Sequence, residues 1–128
     1  MLRHFDENRT NAKSARQVYL ILIGCASRRE TLTYKQLGLK MGFKSPNGAA
    51  GTLGPIVGHL LFWCKEEGLP HINTLVVNAE TGVPGDGPGY DAKEVPAFQQ
   101  EVFGFDWYSI DVPKLNELDE AYRAGVVK

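Results

Sequence analysis

Between Thr33 and Asn47 the chain gathers side chains suited to contact with a phosphate backbone. Tyr34 and Ser45 bring hydroxyls, Asn47 an amide, and Lys35, Lys40 and Lys44 cations. Arg28 and Arg29 stand just upstream. Free N–H groups at a helix start, with Ser45 and Asn47 beside them, can reach a phosphate. Such contacts position a nucleic acid without reading its bases, and they weaken as salt rises. Each group also has a plainer role. Arg28 and Arg29 suit the negative pole of the helix that ends before them. The lysines can form an ordinary solvated face.

Other chemistry is harder to assemble. His59 and Cys64 are five residues apart on one helix. At ~100° per residue they diverge by about 140°, so they do not form a nucleophile–base pair. His71 lies near Glu66 and Glu67, which is too few ligands for a metal site. Cys25 and Cys64 form no Cys-x-x-Cys and read as buried apolar groups in a reducing compartment. Gly85-Asp86-Gly87-Pro88-Gly89 lacks a following helix that opens with Lys-Ser/Thr, so it is not a phosphate loop. It reads as a connection or as a loop that contacts a ligand. No cofactor is expected, and a non-catalytic role is favoured over that of a small hydrolase.

The elements that must position these residues follow from periodicity. Met1 to Asn11 is a polar arm without a repeat. A first helix runs from Ala12 or Ala15 to Arg28, capped by Asn11 or Ser14. Its stripe is Ala15, Val18, Tyr19, Leu22, Cys25 and Ala26. Leu20, Ile21 and Ile23 widen that stripe, which implies a helix nearly surrounded by protein or lying in an interface. Thr33 and Gln36 form a capping box for a second helix, Tyr34 to Met41, stopped by Gly42. Ser45 and Pro46 read as cap and first residue of a third helix. Pro55 should kink that helix or restart it, and Gly68 with Pro70 ends it. His71 to Asn78 reads as a central strand, and the Gly/Pro-rich stretch from Ala79 to Ala92 as a loop. Another helix begins at Glu94. An aromatic connector carries Trp107, and Asp111 caps a last helix from Pro113 to Ala124.

The 128 residues fit one domain, spanning 12–128 after the arm 1–11, with enough chain to bury a core without staples. The longest apolar run, Val18 to Ile23, is far short of the ~20 residues of a membrane span. The first ten residues are not a secretory leader, so the cytoplasm is the expected compartment. Net charge is −1, but it is unevenly placed. Met1 to Lys44 carries nine Lys/Arg against three Asp/Glu, and Ser45 to Lys128 carries five against twelve. A basic first third of that kind hints at a polyanion partner.

Helix, turn, helix and strand in this order fit an α+β winged helix-turn-helix with an N-terminal helix and additional C-terminal helices. The 79–92 loop stands in the place of the wing. Over some 50 to 60 residues the stretch resembles the C-terminal domain of the alkylguanine-DNA alkyltransferases and alkyltransferase-like proteins. The resemblance rests on Thr33-Tyr34-Lys35-Gln36-Leu37, the small-residue helix ending Leu53-Gly54, and Val76-Val77 followed by Gly82 and Gly85. It implies that Tyr34 works at a DNA phosphate. Two departures limit what carries over. Gly51 stands where the family has its arginine finger, the side chain used in base flipping. Asn73 stands where the family has its cysteine nucleophile, and an amide cannot accept an alkyl group as a thiolate does. The chain also has a longer insertion, Pro55 to Leu69. The segment Leu69-Pro70 to Gly85 also looks like that of small bacterial and phage proteins.

The resulting expectation is non-catalytic binding of double-stranded DNA through Tyr34, Lys35, Lys44, Ser45, Asn47, Arg28 and Arg29. The alternative is a protein-interaction module or inhibitor, encoded by a phage or mobile element. It would use the acidic C-terminal half, including Glu117, Asp119 and Glu120, or the connector at Trp107.

Overall fold

The first helix, α1 (Asn11–Ser27), buries the stripe its spacing demands: Ala15, Val18, Tyr19, Leu22, Cys25 and Ala26, with Ala12, Ser14 and Ile23 alongside. In the computed structural model, which describes residues 10–44, 48–84 and 90–127, the cap is Thr10. Its side chain accepts from the Lys13 amide at 3.4 Å, so the helix starts earlier than Asn11 or Ser14 would allow as caps. The arm therefore ends before Asn11; residues 1–9 lie outside the described ones. Leu20 is 43% exposed, so within the single chain α1 is open on that side.

The end of α1 is a left-handed cap. The Glu30 amide bonds to the Cys25 carbonyl at 3.0 Å while Arg29 sits at φ 55°, a place usually taken by glycine. The chain then enters β1 (Leu32–Thr33) and α2 (Tyr34–Lys40). The capping box forms as its spacing requires. The Gln36 amide donates to Thr33 Oγ1 at 3.1 Å, and the Thr33 amide donates to Gln36 Oε1 at 2.8 Å. Leu37 and Met41 point into the core.

The central element is α3 (Ala49–Glu67). Its N-cap is Gly48, in the left-handed region at φ 79°. The helix starts later than Ser45-Pro46 would give, and residues 45–47 lie outside the described ones. Nor does the helix restart at Pro55: it is continuous for 19 residues. Pro55 removes only the amide that would bond to the Gly51 carbonyl, and packing of Leu53, Ile56, Leu60, Trp63 and Cys64 in the core outweighs that loss. Gly68, at φ 66°, closes the helix while the Leu69 amide returns to the Cys64 carbonyl at 2.9 Å.

The stretch expected as one strand divides in two. Ile72–Leu75 is a 3₁₀ turn, and only Val76–Val77 forms β2. Thr74 causes the curl, since its amide and its Oγ1 both bond to the His71 carbonyl, at 3.0 and 2.8 Å. The pair β1–β2 is parallel, with Leu32 opposite Val76 and Thr33 opposite Val77. Beyond it, Asn78 and Val83 close a turn at 2.8 Å. Among the described residues of the 79–92 loop there is no strand, and residues 85–89 lie outside them.

Two further helices complete the chain: α4 (Val95–Gly104) and α5 (Leu115–Val126). α5 begins after Pro113, with the Lys114 amide held by Glu117 Oε1 at 2.9 Å; Asp111 does not cap it. Trp107 is not an exposed connector. It is 3% exposed, and its Nε1 donates to the Val102 carbonyl at 2.8 Å. Tyr19 packs edge-on against Trp63 and Trp107, with centroids 5.6 and 6.1 Å apart. α3 touches α1, α2, α5 and the 3₁₀ turn, giving a small, mostly helical α+β fold. Among the described residues no helix is long and apolar enough to cross a membrane.

Candidate ligand cavity and basic surface

α3 has two halves of different character. Past Pro55 it is a core helix; before it, Ala50, Gly51 and Gly54 leave room on one side. A Cβ built on Gly51 or Gly54 meets nothing within 4 Å. That room is part of a cavity of about 480 Å³, floored by α3. Tyr34 of α2, Tyr122 and Val126 of α5, and Pro84 and Tyr90 of the loop form its walls. The volume lies in the range of small-molecule sites. Among the described residues no charged side chain lines it.

α5 is held over the cavity by ring packing. Tyr122 stacks on His59 with centroids 4.0 Å apart and planes within 7°. Tyr122 also meets Phe62 edge-on at 5.9 Å. His59 is anchored from below by its Nδ1, 2.7 Å from the Pro55 carbonyl. Its Nε2 is 3.9 Å from Asp119 Oδ1.

The polar wall is a short hydrogen-bonded chain. The Tyr90 hydroxyl lies 2.9 Å from His71 Nδ1 and accepts from Asn73 Nδ2 at 3.1 Å. His71 stacks on Phe98 at 5.1 Å. Desolvation lowers the His71 pKa, with Lys65 adding to the effect, so the neutral ring is favoured. Burial raises Tyr90 from 10.0 to about 12, against the opposing pull of the Asn73 bond. Tyr90 therefore keeps its proton, and which partner donates in its bond with neutral His71 follows the histidine tautomer. That arrangement leaves Asn73 Oδ1, in a residue 4% exposed, buried without a partner among the described residues. Leaving such an acceptor unmet costs about 1–3 kcal/mol.

The residues expected from sequence separate into groups. Tyr34 lines the cavity as the first residue of α2. Lys35 is exposed beside it. Arg28 and Lys40 come together around Cys25: both pull its thiol pKa down, against the larger upward effect of burial. Arg28 also pairs with Glu30 at 3.3 Å, which offsets part of its charge. Arg29 and Lys44 are exposed. Ser45 and Asn47 lie outside the described residues. Cys25 and Cys64 are buried free thiols. Among the described residues no three His, Cys, Asp or Glu groups could hold a metal.

Sequence reasoning does not single out Asn73, Tyr90 and His71 as one site. One signal is present: two polar residues, Asn73 and Thr74, interrupt an otherwise apolar run. A second cleft of about 410 Å³ lies between Trp63 and the segment 110–117. Glu67, Asp111, Lys114 and Glu117 line it. Compared with family models, with curated proteins and with solved structures, the chain gives no match.

Proposed function

We propose that this protein binds double-stranded DNA without chemistry, in the manner of a winged helix-turn-helix, through α2 and the turns on either side of it. The observation that carries the reading is the placement of Tyr34. The Thr33–Gln36 capping box fixes it at the first position of α2, on the rim of a cavity, with exposed Lys35 next in the chain. A phenol and a cation side by side suit a phosphate. Lys40, Lys44, Arg28 and Arg29 extend the positive charge along the neighbouring turns, and Ser45 and Asn47 belong to the same turn in sequence. An amide at position 73, where the family it resembles has its thiol, supports a binding rather than a transferring role.

Fluorescence anisotropy with a labelled duplex tests this. Binding tighter than ~10 µM at low salt is expected, with the strong salt dependence of phosphate contacts. Lys35→Glu combined with Lys44→Glu should weaken it. No binding, or binding indifferent to that double change, rejects the reading.

A second reading, a protein-interaction module, has one observation in its favour. Tyr108 is 69% exposed, and Val112 is also exposed, with Asp106 and Asp111 exposed beside them. A pull-down from lysate, with and without nuclease, separates the two. Capture that survives nuclease and is lost with Tyr108→Ala favours the second.

A further inference from the structure

We infer that a second copy of this chain docks its α2 face into the cleft between the end of α3 and the segment 110–117. The two surfaces are opposite in charge, and each has an apolar part. The cleft holds about 410 Å³, and Leu69, Ile110 and Val112 give it apolar walls. Val112 is 43% exposed, so that wall is not covered within the chain. Among the described residues the cleft carries three carboxylates, of Glu67, Asp111 and Glu117, against the one ammonium of Lys114. An occupant that suits it brings an aliphatic side chain with cations on either side.

The chain presents such a surface itself. On α2, Leu37 and Met41 turn into the core, while Leu39 between them turns out and is 55% exposed. Lys35 stands one turn before Leu39, on the same side of the helix, and Lys40 follows it. Both lysines are exposed. Arg28 lies on the same side, since it and Lys40 both act on the Cys25 thiol. Burial of Leu39 would supply the apolar drive, and the cations would set the orientation. Among the described residues no part of α2 lines the cleft, so the two faces meet between copies. Such a contact closes as a two-fold dimer or runs on from copy to copy. A net charge of −1 leaves little overall repulsion between copies to oppose it. Lys35 also belongs to the proposed DNA surface, so a docked copy covers part of that surface. The inference does not rest on DNA binding, and its test contains no nucleic acid.

Sedimentation velocity of the full chain over a concentration series is the test. At low salt the sedimentation coefficient should rise with concentration, with half-association on the order of 100 µM. The rise should vanish in about 1 M NaCl, where the Debye length is ~3 Å. Leu39→Ser should weaken association without any change in charge. Glu67→Lys with Asp111→Lys makes a chain that is basic on both faces, and Lys35→Glu with Lys40→Glu makes one that is acidic on both. Each should stay monomeric alone, with the circular dichroism of the parent chain. Mixed in equal amounts they should associate again, because the intact α2 of the first meets the intact cleft of the second. Damage to folding would not be repaired by mixing. The inference is overturned if the parent chain stays monomeric at low salt, if either double variant associates as the parent does, or if the mixture of folded variants stays monomeric. A parent chain that stays monomeric but binds a short lysine- and leucine-bearing peptide, and loses it with Glu67→Lys and Asp111→Lys, also overturns it and gives the cleft to a foreign partner.

Discussion

Arg29 holds a left-handed backbone at φ 55° where glycine would be relaxed. Its side chain makes no ion pair among the described residues to offset that strain. A non-glycine residue in this region costs about 1–2 kcal/mol. Arg29→Gly should therefore raise stability by about 1 kcal/mol in chemical denaturation. If the guanidinium serves a phosphate, the same substitution weakens duplex binding. A stabilised variant with undiminished DNA affinity would mark Arg29 as no more than an ill-suited cap. Asn73 shows the same tension from the other direction. Its Oδ1 is buried without a partner among the described residues, a loss of about 1–3 kcal/mol. Thr33 and Gln36, by contrast, carry no tension, and both hydrogen bonds of their box are made.

At the scale of elements, what is readable in the sequence is what depends on neighbours three or four residues away. The α1 stripe, the Thr33–Gln36 box and the Gly68 stop are of that kind, and they lie where the spacing puts them. The segment from His71 to Asn78 departs from the expected strand because an apolar run shows burial, not backbone shape. Ile72, Leu75 and Val76 are buried as expected, but the Thr74 hydroxyl curls the first half into a 3₁₀ turn. The helix does not restart at Pro55 for a related reason. Its local cost is real, yet it removes one hydrogen bond from a helix held along its whole length by α1, α2 and α5. The cavity is not legible, because its walls come from residues 34, 54, 73, 90 and 122, which no local period connects. Helix α5 closes it through a close approach: a Cβ on Gly125 would run into the Phe62 ring. Gly125→Ala should cost roughly 1–3 kcal/mol by overpacking, read as a lowered denaturation midpoint. An unchanged midpoint would mean that α5 is docked less tightly than its packing indicates.

For the whole molecule, burial of weak acids sets the alkaline limit of stability. Burial, then the neighbouring Cys64, raises Tyr19 from 10.0 to about 12. Burial raises Cys64 from 9.0 to about 12, opposed by a backbone hydrogen bond at Ile72. Tyr90 rises to about 12 for the same first reason. In the unfolded chain these groups release protons near pH 9 to 10; in the folded chain they hold them to about 12. The folded state thus binds more protons across that window, and rising pH favours unfolding. The contribution of these three groups should be level below about pH 9 and fall progressively toward pH 12. Denaturant midpoints that stay flat through that range would contradict the burial of these groups.

Charge is the other whole-molecule property. The chain has a net charge of −1, so attraction to DNA has to come from the placement of its cations and not from their total. Duplex binding measured by anisotropy across a salt series tests that placement most directly. The expected result is micromolar or tighter binding at low salt, with a log K against log salt slope of about −0.9 per neutralised phosphate. Lys35→Glu and Lys44→Glu should together make that slope shallower. Affinity that is absent at low salt, or a slope unchanged by both reversals, would contradict a DNA-binding surface at α2.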